Sequence, residues 1–135
     1  MTKRIDMKTV DIGRLGENAA VRFLKKNKFK IVERNLHVSH NEIDIIAVSK
    51  KQKLIAFVEV KARSVDKDLY SPFGTPASAV TKDKQRRTVE AARGYLRNSK
   101  KFFAFQPRFD VLEVYLDRND MSVLKINYIE NAFGV

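Results

Sequence analysis

Three consecutive apolar segments in the first half of the chain constrain its fold more than any other feature. KIVERNLH (30–37), EIDIIAVS (42–49) and KLIAFVEVKAR (53–63) are rich in β-branched or aromatic residues, and short polar turns separate them. Such runs are typical of β-strands, and connections this short join antiparallel neighbours. The sequence therefore predicts three antiparallel strands in a row, with Asn41 able to occupy a positive-φ position in the first turn.

Helical periodicity flanks these strands. From Ile12 to Asn27 the apolar residues recur at helical spacing, with Glu17 at the border of the apolar stripe, and Thr81 can cap a second helix that runs to about Asn98. Two further strands are predicted near the carboxyl terminus, FQPRFDVLEVYL (105–116) and MSVLKINYIE (121–130). The order αβββα followed by two strands indicates an α/β sandwich, with helices packed on a mixed sheet.

Size and charge limit the class of protein. The chain has 135 residues, enough for a single domain over residues 12–135 after a flexible tail at 1–11. Its formal net charge of +11 points first to nucleic acid and second to an acidic membrane surface. With no Cys and two His, zinc chemistry is not expected. Because no apolar stretch has the length of a signal peptide core or a membrane span, we expect a cytoplasmic protein.

Charged residues on two neighbouring strands form the sharpest candidate site. Glu59 and Lys61 project from one strand face, and the hairpin register can bring Asp44 opposite them. Burying these groups is costly unless they are paired or bind a metal. Asp44, Glu59 and the carbonyl of Val60 would offer oxygen ligands that suit Mg²⁺ or Mn²⁺. Such an ion would assist phosphodiester hydrolysis, and Lys61 would orient water, take its proton or stabilise the transition state.

These carboxylates also have structural readings. On spacing alone, a salt bridge between adjacent strands explains Asp44, Glu59 and Lys61 as well as a metal site does. Glu17 is the best candidate for a further carboxylate that reaches the metal directly or through water. Its alternative role is to favour the helix dipole or to pair with the nearby Arg14.

The second helix concentrates positive charge. Residues 82–101 contain eight Lys or Arg and two Asp or Glu. The narrow basic arc comprises Lys82, Arg86, Arg93, Arg97 and Lys100. It predicts a strip that follows a phosphate backbone, and an ordinary solvated helix face is the alternative. Lys84 lies off the arc, towards the packed side of the helix, from which it could approach the candidate site. Arg63 shares the strand parity of Lys61 and is a further candidate phosphate contact.

Aromatic residues near this helix have two readings. Phe102, Phe103 and Phe105 are expected to pack in the core at the entry to a strand, and base stacking is the alternative. Tyr70 and Phe73 lie in a long predicted loop and are candidates for a substrate clamp.

The wider pattern resembles a known family. The matching segments are GRLGENAAVRFL (13–24), NEIDIIA (41–47), FVEVKAR (57–63), FG (73–74), the helix from Lys84 to Leu96 and RFDVLEV (108–114). Together they resemble the bacterial YraN-like family, and Asp44 with Glu59-x-Lys61 resembles the PD-(D/E)xK nuclease superfamily. Two positions depart from the pattern: Asn41 replaces a usual Gly, and Ile43 replaces the superfamily's proline.

The resemblance implies a restriction-endonuclease-like fold with an αβββαβ core, in which helices flank a mixed central sheet, and a relation to Holliday-junction resolvases. It implies a Mg²⁺-dependent or Mn²⁺-dependent endonuclease that acts on DNA, including branched DNA. If the substrate is a four-way junction, two symmetric cuts call for a homodimer. The contrasting prediction is a non-catalytic nucleic-acid-binding or interaction module that uses the basic helix. A membrane partner is not expected, because the basic helix needs its short apolar face for the sheet.

Overall fold

The computed structural model describes residues 11–68 and 80–134, and both predicted helices and all five predicted strands lie in these ranges. The first half contains α1 (Ile12–Lys26), β1 (Lys30–Val38), β2 (Asn41–Ser49) and β3 (Leu54–Val65). The second half contains α2 (Lys82–Asn98), a 3₁₀ turn (Lys100–Phe102), β4 (Gln106–Asp117) and β5 (Val123–Phe133). The predicted mixed α/β order is therefore confirmed. Tyr70 and Phe73 lie outside the described residues.

The strands form one mixed sheet in the order β1-β2-β3-β4-β5. The β1–β2, β2–β3 and β4–β5 pairs are antiparallel, which confirms the predicted run of three antiparallel strands. β3 and β4 are parallel and stay in register from Leu54↔Gln106 to Val65↔Asp117. A parallel pair needs a long crossover, and the segment that contains α2 supplies it. β3 therefore lies at the centre of the sheet.

The two helices pack against opposite faces of the sheet. Ala20 and Leu24 of α1 belong to the cluster that contains Ile45, Ala47, Ala56 and Val58. Ala91 and Ala92 of α2 belong to the cluster that contains Ile46, Ile55, Phe57 and Phe109. Because both of its faces are covered, the middle of the sheet is built from nearly continuous apolar runs.

Close approach at Gly16 sets the position of α1 on β3. A Cβ atom at Gly16 would lie 2.3 Å from the Cβ of Ala62, a separation that no side chain can occupy. The helix is capped by Asp11, whose carboxylate accepts a 3.0 Å hydrogen bond from the Arg14 backbone N–H. The amino-terminal half of α1 is thereby held against the carboxyl-terminal half of β3.

The structure corrects three local predictions. Ser39, not Asn41, takes the positive φ of 56°, because Asn41 already pairs with Val38 and leaves Ser39 and His40 as a two-residue loop. Lys100 lies in the 3₁₀ turn and not on the basic face of α2, because the helix ends at Asn98. Phe103 is 93% exposed, so the core reading is wrong for it, whereas Phe102 is buried and Phe105 packs against the core.

Among the helices of residues 11–68 and 80–134, none combines the length and apolar character that a bilayer crossing requires.

Candidate functional site

β2 and β3 separate at the level of Asp44 and Glu59. Their paired register ends at Ile45↔Val58, so Asp44 and Glu59 are the next residues on the two strands. The backbone N–H of Val60 donates a 2.8 Å hydrogen bond to Oδ2 of Asp44 in place of a strand partner. In an extended strand the N–H and C=O of one residue face the same neighbour, so the Val60 carbonyl also faces the Asp44 side. The three predicted oxygen donors therefore converge where the strands part.

Burial and mutual repulsion keep a proton on this pair of carboxyls. Burial, followed by the negative charge of Asp44, raises the pKa of Glu59 to about 7. Burial likewise raises the pKa of Asp44, although the hydrogen bond from Val60 opposes the shift. With a pKa of about 7, Glu59 is protonated in a substantial fraction of the molecules at neutral pH.

Two lysines approach the pair from the second half of β3 and from α2. Nζ of Lys84 lies 3.8 Å from Oε2 of Glu59, which is ion-pair contact but longer than a hydrogen bond. Lys61 is half-buried, and its charge lowers the pKa of Glu59. Arg63 is also half-buried and is the next residue of the same parity on β3. Lys84 can take this position because Thr81 caps α2, accepting a 3.1 Å hydrogen bond from the Lys84 backbone N–H.

Glu17 lies near this pair but is held by other residues. It is 7% exposed, and its Oε1 accepts hydrogen bonds from Nε of Arg34 at 2.8 Å and from Nδ2 of Asn35 at 3.0 Å. The predicted alternative of a Glu17–Arg14 pair is wrong, because β1 brings Arg34 to α1. Glu17, Arg34, Asn35 and Asp44 line one cavity of about 610 Å³. The charge of Glu17 also raises the pKa of Asp44.

The donor chemistry of the site suits a hard divalent cation. Within the part of the chain that the structure describes, no three Asp, Glu, His or Cys residues are grouped so that they could hold a metal ion. With the side chains in these positions, Glu17 is therefore not a third side-chain ligand beside Asp44 and Glu59. Mg²⁺ keeps several waters and is commonly bound through one or two carboxylates plus substrate phosphates. The buried carboxyl of Glu59, the half-buried carboxyl of Asp44 and the Val60 carbonyl fit that requirement.

Apart from Lys84, the predicted nucleic-acid-binding residues of α2 form no ion pair with Asp44 or Glu59 in the described part of the chain. Lys82, Arg86, Arg93 and Arg97 are exposed, and none of them lines the cavity that contains Asp44. Arg86 forms an ion pair with Asp83, which reduces its free charge. The structure therefore brings Lys84 into ion-pair contact with Glu59, whereas the residues of the basic arc stay outside the cavity of Asp44.

Three residues at or beside the site carried no usable signal in the sequence. Arg34 and Asn35 follow Glu33 in a predicted strand, and their contact with Glu17 depends on how α1 packs. Glu113 is 4% exposed and accepts a 2.8 Å hydrogen bond from Nδ2 of Asn127. It is the register neighbour of Lys61 in the parallel β3–β4 pair. Strand parity could have marked Glu113 as inward-facing, but the β3–β4 register could not be derived from the sequence.

These features define the class: a mixed α/β protein with a pair of close carboxyls, one buried and one half-buried, where two central strands separate. The chain matches the uncharacterised protein family UPF0102 over residues 16–114. It is 43% identical over 132 residues to a UPF0102 protein of Caldanaerobacter subterraneus subsp. tengcongensis, a match covering 97% of this chain and 99% of the relative. A UPF0102 protein of Clostridium perfringens is 41% identical over 124 residues, which are 92% of this chain and 94% of the relative.

A third relative, a UPF0102 protein of Desulfosudis oleivorans, is 46% identical over 121 residues, or 90% of this chain and 88% of the relative. The chain therefore belongs to the UPF0102 family, which confirms the expected YraN-like membership. The family is described as uncharacterised, so membership does not supply an activity.

Proposed function

We propose that the protein is a divalent-metal-dependent endonuclease of the PD-(D/E)xK superfamily, with a restriction-endonuclease-like fold related to Holliday-junction resolvases. It would hydrolyse phosphodiester bonds in DNA. The observation that carries this proposal is the close Asp44–Glu59 pair, in which burial raises the pKa of both carboxyls and the charge of Asp44 raises the pKa of Glu59 further. Perturbed acids of this kind cluster at functional sites.

A purely structural role explains the pair poorly. A buried carboxylate that serves the fold is normally matched by close hydrogen bonds and an opposite charge. Asp44 accepts a hydrogen bond from the Val60 N–H. Among the described residues, however, the cation in ion-pair contact with Glu59 is Lys84, at 3.8 Å. The arrangement costs stability as it stands, and that cost is understandable if the pair binds a cation.

Each residue of the site has a role in the proposed reaction. Mg²⁺ or Mn²⁺ bound by Asp44, Glu59 and the Val60 carbonyl would neutralise phosphate charge and make a water more acidic. Lys61 lies beside Glu59 and would orient the attacking water, accept its proton or stabilise the added negative charge. Lys84 would keep Glu59 ionised. Glu17, held by hydrogen bonds at the shared cavity, would act through a water molecule.

The substrate surface follows from charge and from the family resemblance. Arg63 and Lys84 would contact phosphates near the site, and Lys82, Arg86, Arg93 and Arg97 would contact them at a distance. Such contacts position a nucleic acid without reading its sequence. A branched DNA substrate rests on the resemblance to junction resolvases, and it carries with it a homodimer, since one site per chain cannot cut two opposed strands.

The direct test is cleavage of labelled duplex, single-stranded, flapped and four-way-junction DNA with Mg²⁺ or Mn²⁺. We expect wild type to form metal-dependent products and Glu59→Gln to lose activity by on the order of 100-fold or more, since a transition-state interaction is removed. Glu130→Gln is the matched control, because Glu130 is an exposed carboxylate on β5, outside the site cavity. Equal cleavage by Glu59→Gln and wild type would remove Glu59 from the mechanism.

A non-catalytic nucleic-acid-binding module is the second candidate function. The observation that favours it is the exposure of Arg93 and Arg97, which lie away from the carboxyl pair. Metal binding separates the two candidates. Mn²⁺ titration by calorimetry would give binding that Glu59→Gln abolishes in a nuclease, whereas DNA binding without Mn²⁺ binding or cleavage would support the module.

A further inference from the structure

We infer that a groove between α2 and the β1–β2 hairpin is a docking site for the phosphate backbone of a duplex arm, separate from the site of cleavage. The inference rests on the proposed function for the identity of the polyanion. Three arginines of α2 and the polar turn of the hairpin line this hairpin groove: Arg87, Arg93, Arg97, Ser39, His40 and Asn41. Its volume is about 610 Å³.

The walls of the hairpin groove are fixed by a close contact at Gly94. A Cβ atom at Gly94 would lie 2.9 Å from Cγ1 of Val38, so only glycine lets the hairpin approach α2 this closely without a shift. The Arg97 guanidinium lies back over the same position, with Nη2 3.8 Å from the site of that Cβ. Helix and hairpin therefore form two sides of one groove, and Arg97 lies within it.

The charge of the hairpin groove is available to a ligand. Arg93 and Arg97 are exposed and form no hydrogen bond or ion pair within the described ranges 11–68 and 80–134. Arg87 is less available, since its Nε lies 3.2 Å from Oδ2 of Asp83. Glu90 also lines the groove and offsets one of the three positive charges. Two free guanidiniums remain, and guanidinium is the side-chain group best matched to phosphate.

The lining favours phosphates over bases or lipid tails. Arg93 and Arg97 are one helical turn apart, about 6 Å along the axis, so they can hold separate phosphates of one strand. Ser39, His40 and Asn41 add polar groups, and polar side chains commonly contact sugars and phosphates. The described lining contains no Phe, Tyr or Trp ring on which an unpaired base could stack, and Val38 is its one large apolar side chain. A duplex backbone is therefore the occupant that this surface fits.

The hairpin groove is separate from the carboxyl pair, so binding and cleavage can be measured independently. None of its lining residues contributes to the cavity of Asp44 and Glu17. Removing its charge should therefore weaken substrate binding without altering the chemistry at Glu59.

The test measures binding of the full chain to a fluorescent DNA duplex by anisotropy, without divalent cations, across a range of salt concentrations. We expect Arg93→Gln with Arg97→Gln to weaken binding at least tenfold. The salt dependence should also flatten, because the slope of log affinity against log salt falls by about 0.9 for each phosphate that the protein no longer neutralises. The matched control is Lys50→Gln with Lys51→Gln, which removes the same charge from the exposed β2–β3 turn.

Three outcomes would overturn the inference: an unchanged salt slope in the groove variant, equal weakening in the groove and control variants, or wild-type binding to phosphatidylserine vesicles without binding to duplex. A second variant, Gly94→Ala, keeps every charge but displaces Val38. We expect it to weaken duplex binding while its circular dichroism stays that of wild type, and unchanged affinity in such a folded variant would also contradict the groove.

Failure of the groove and failure of the nuclease can be told apart. If wild type cleaves DNA and the groove variant binds and cleaves with unchanged KM, the groove is excluded and the nuclease stands. A different result is that no substrate is cleaved, while the groove variant loses duplex binding and the control variant keeps it. That result would support the docking site and not the nuclease.

Discussion

Two carboxylate sites in the same sheet differ in how closely the fold surrounds them with hydrogen-bond donors and positive charge. Asp110 on β4 is completely buried, and it accepts hydrogen bonds from Nε and Nη2 of Arg108 at 2.8 and 2.9 Å. The Tyr128 hydroxyl and the Asn131 backbone N–H complete its partners. Its negative charge is therefore fully compensated within the fold, as is usual for a structural carboxylate.

The pair at the separated ends of β2 and β3 lacks such compensation. Burial raises the pKa of both acids, the charge of Asp44 raises the pKa of Glu59 further, and Lys84 approaches Glu59 only to 3.8 Å. Burial of an acid therefore does not by itself indicate function. What distinguishes the two sites is whether the fold places an opposite charge in hydrogen-bond contact with the carboxylate.

We expect the largest change in the free energy of unfolding from Asp110→Asn. The change leaves the guanidinium of Arg108, whose side chain is 16% exposed, without its main partner. Breaking a buried ion pair from one side typically costs about 3–5 kcal/mol, so the free energy of unfolding should fall by that amount in urea titrations at pH 7. Glu130→Gln, which removes the more exposed partner of Arg108, should change it by less than about 1 kcal/mol. Similar decreases in the two variants would contradict the assignment of Asp110.

Glu59→Gln should change the free energy of unfolding in the opposite direction from Asp110→Asn. It removes an acid whose ionisation the fold opposes, so without divalent cations we expect the free energy of unfolding at pH 8 to rise by about 1–3 kcal/mol. The gain should depend on pH. The ordinary pKa of 4.5 applies when the chain is unfolded, and in the folded protein it is about 7. The folded state therefore binds the extra proton between these values, and wild type loses stability as pH rises through that window.

The difference between Glu59→Gln and wild type should consequently be small below pH 4.5 and largest above pH 7. Urea titrations of both proteins at several pH values measure it. A constant difference, or one that shrinks as pH rises, would mean that Glu59 is compensated as Asp110 is.

We expect the smallest change in the free energy of unfolding from the addition of Mg²⁺. If the pair binds Mg²⁺, the ion at about tenfold above its dissociation constant should stabilise wild type by about 1.4 kcal/mol, because it binds the folded chain and not the unfolded one. Thermal melts at pH 8 with and without MgCl₂ would show the shift, and Glu59→Gln should lack it. An equal shift in both proteins would place the ion elsewhere.

The sequence could predict what strand periodicity controls. Parity places Glu59 and Lys61 on one face, and the short β2–β3 turn brings Asp44 opposite Glu59. The same parity also places Arg108 and Asp110 together, so each site looks like a charge cluster within an apolar strand. Periodicity could not show that Asp110 is fully bonded and the other pair is not, because Tyr128 and Asn131 come from β5.

Contacts between elements distant in sequence were beyond prediction. Arg14 was the obvious partner for Glu17 because it is one turn away on the helix. The actual partners, Arg34 and Asn35, come from β1, and Asn35 takes a positive φ of 50° within that strand. Likewise Lys84 could be assigned to the packed side of α2, but its approach to Glu59 depends on the crossover between β3 and β4.

The parallel pairing of β3 and β4 has a consequence for synthesis of the protein. β3 ends at Val65, but its partner β4 begins only at Gln106. At about 5–20 residues per second, a ribosome needs seconds to add the missing strand. Throughout that interval one edge of the nascent sheet carries unpaired N–H and C=O groups, on which a strand of another chain can add. The delay makes the half-made β1–β3 sheet the stage of biogenesis most exposed to aggregation, and the one at which a chaperone would protect the chain most.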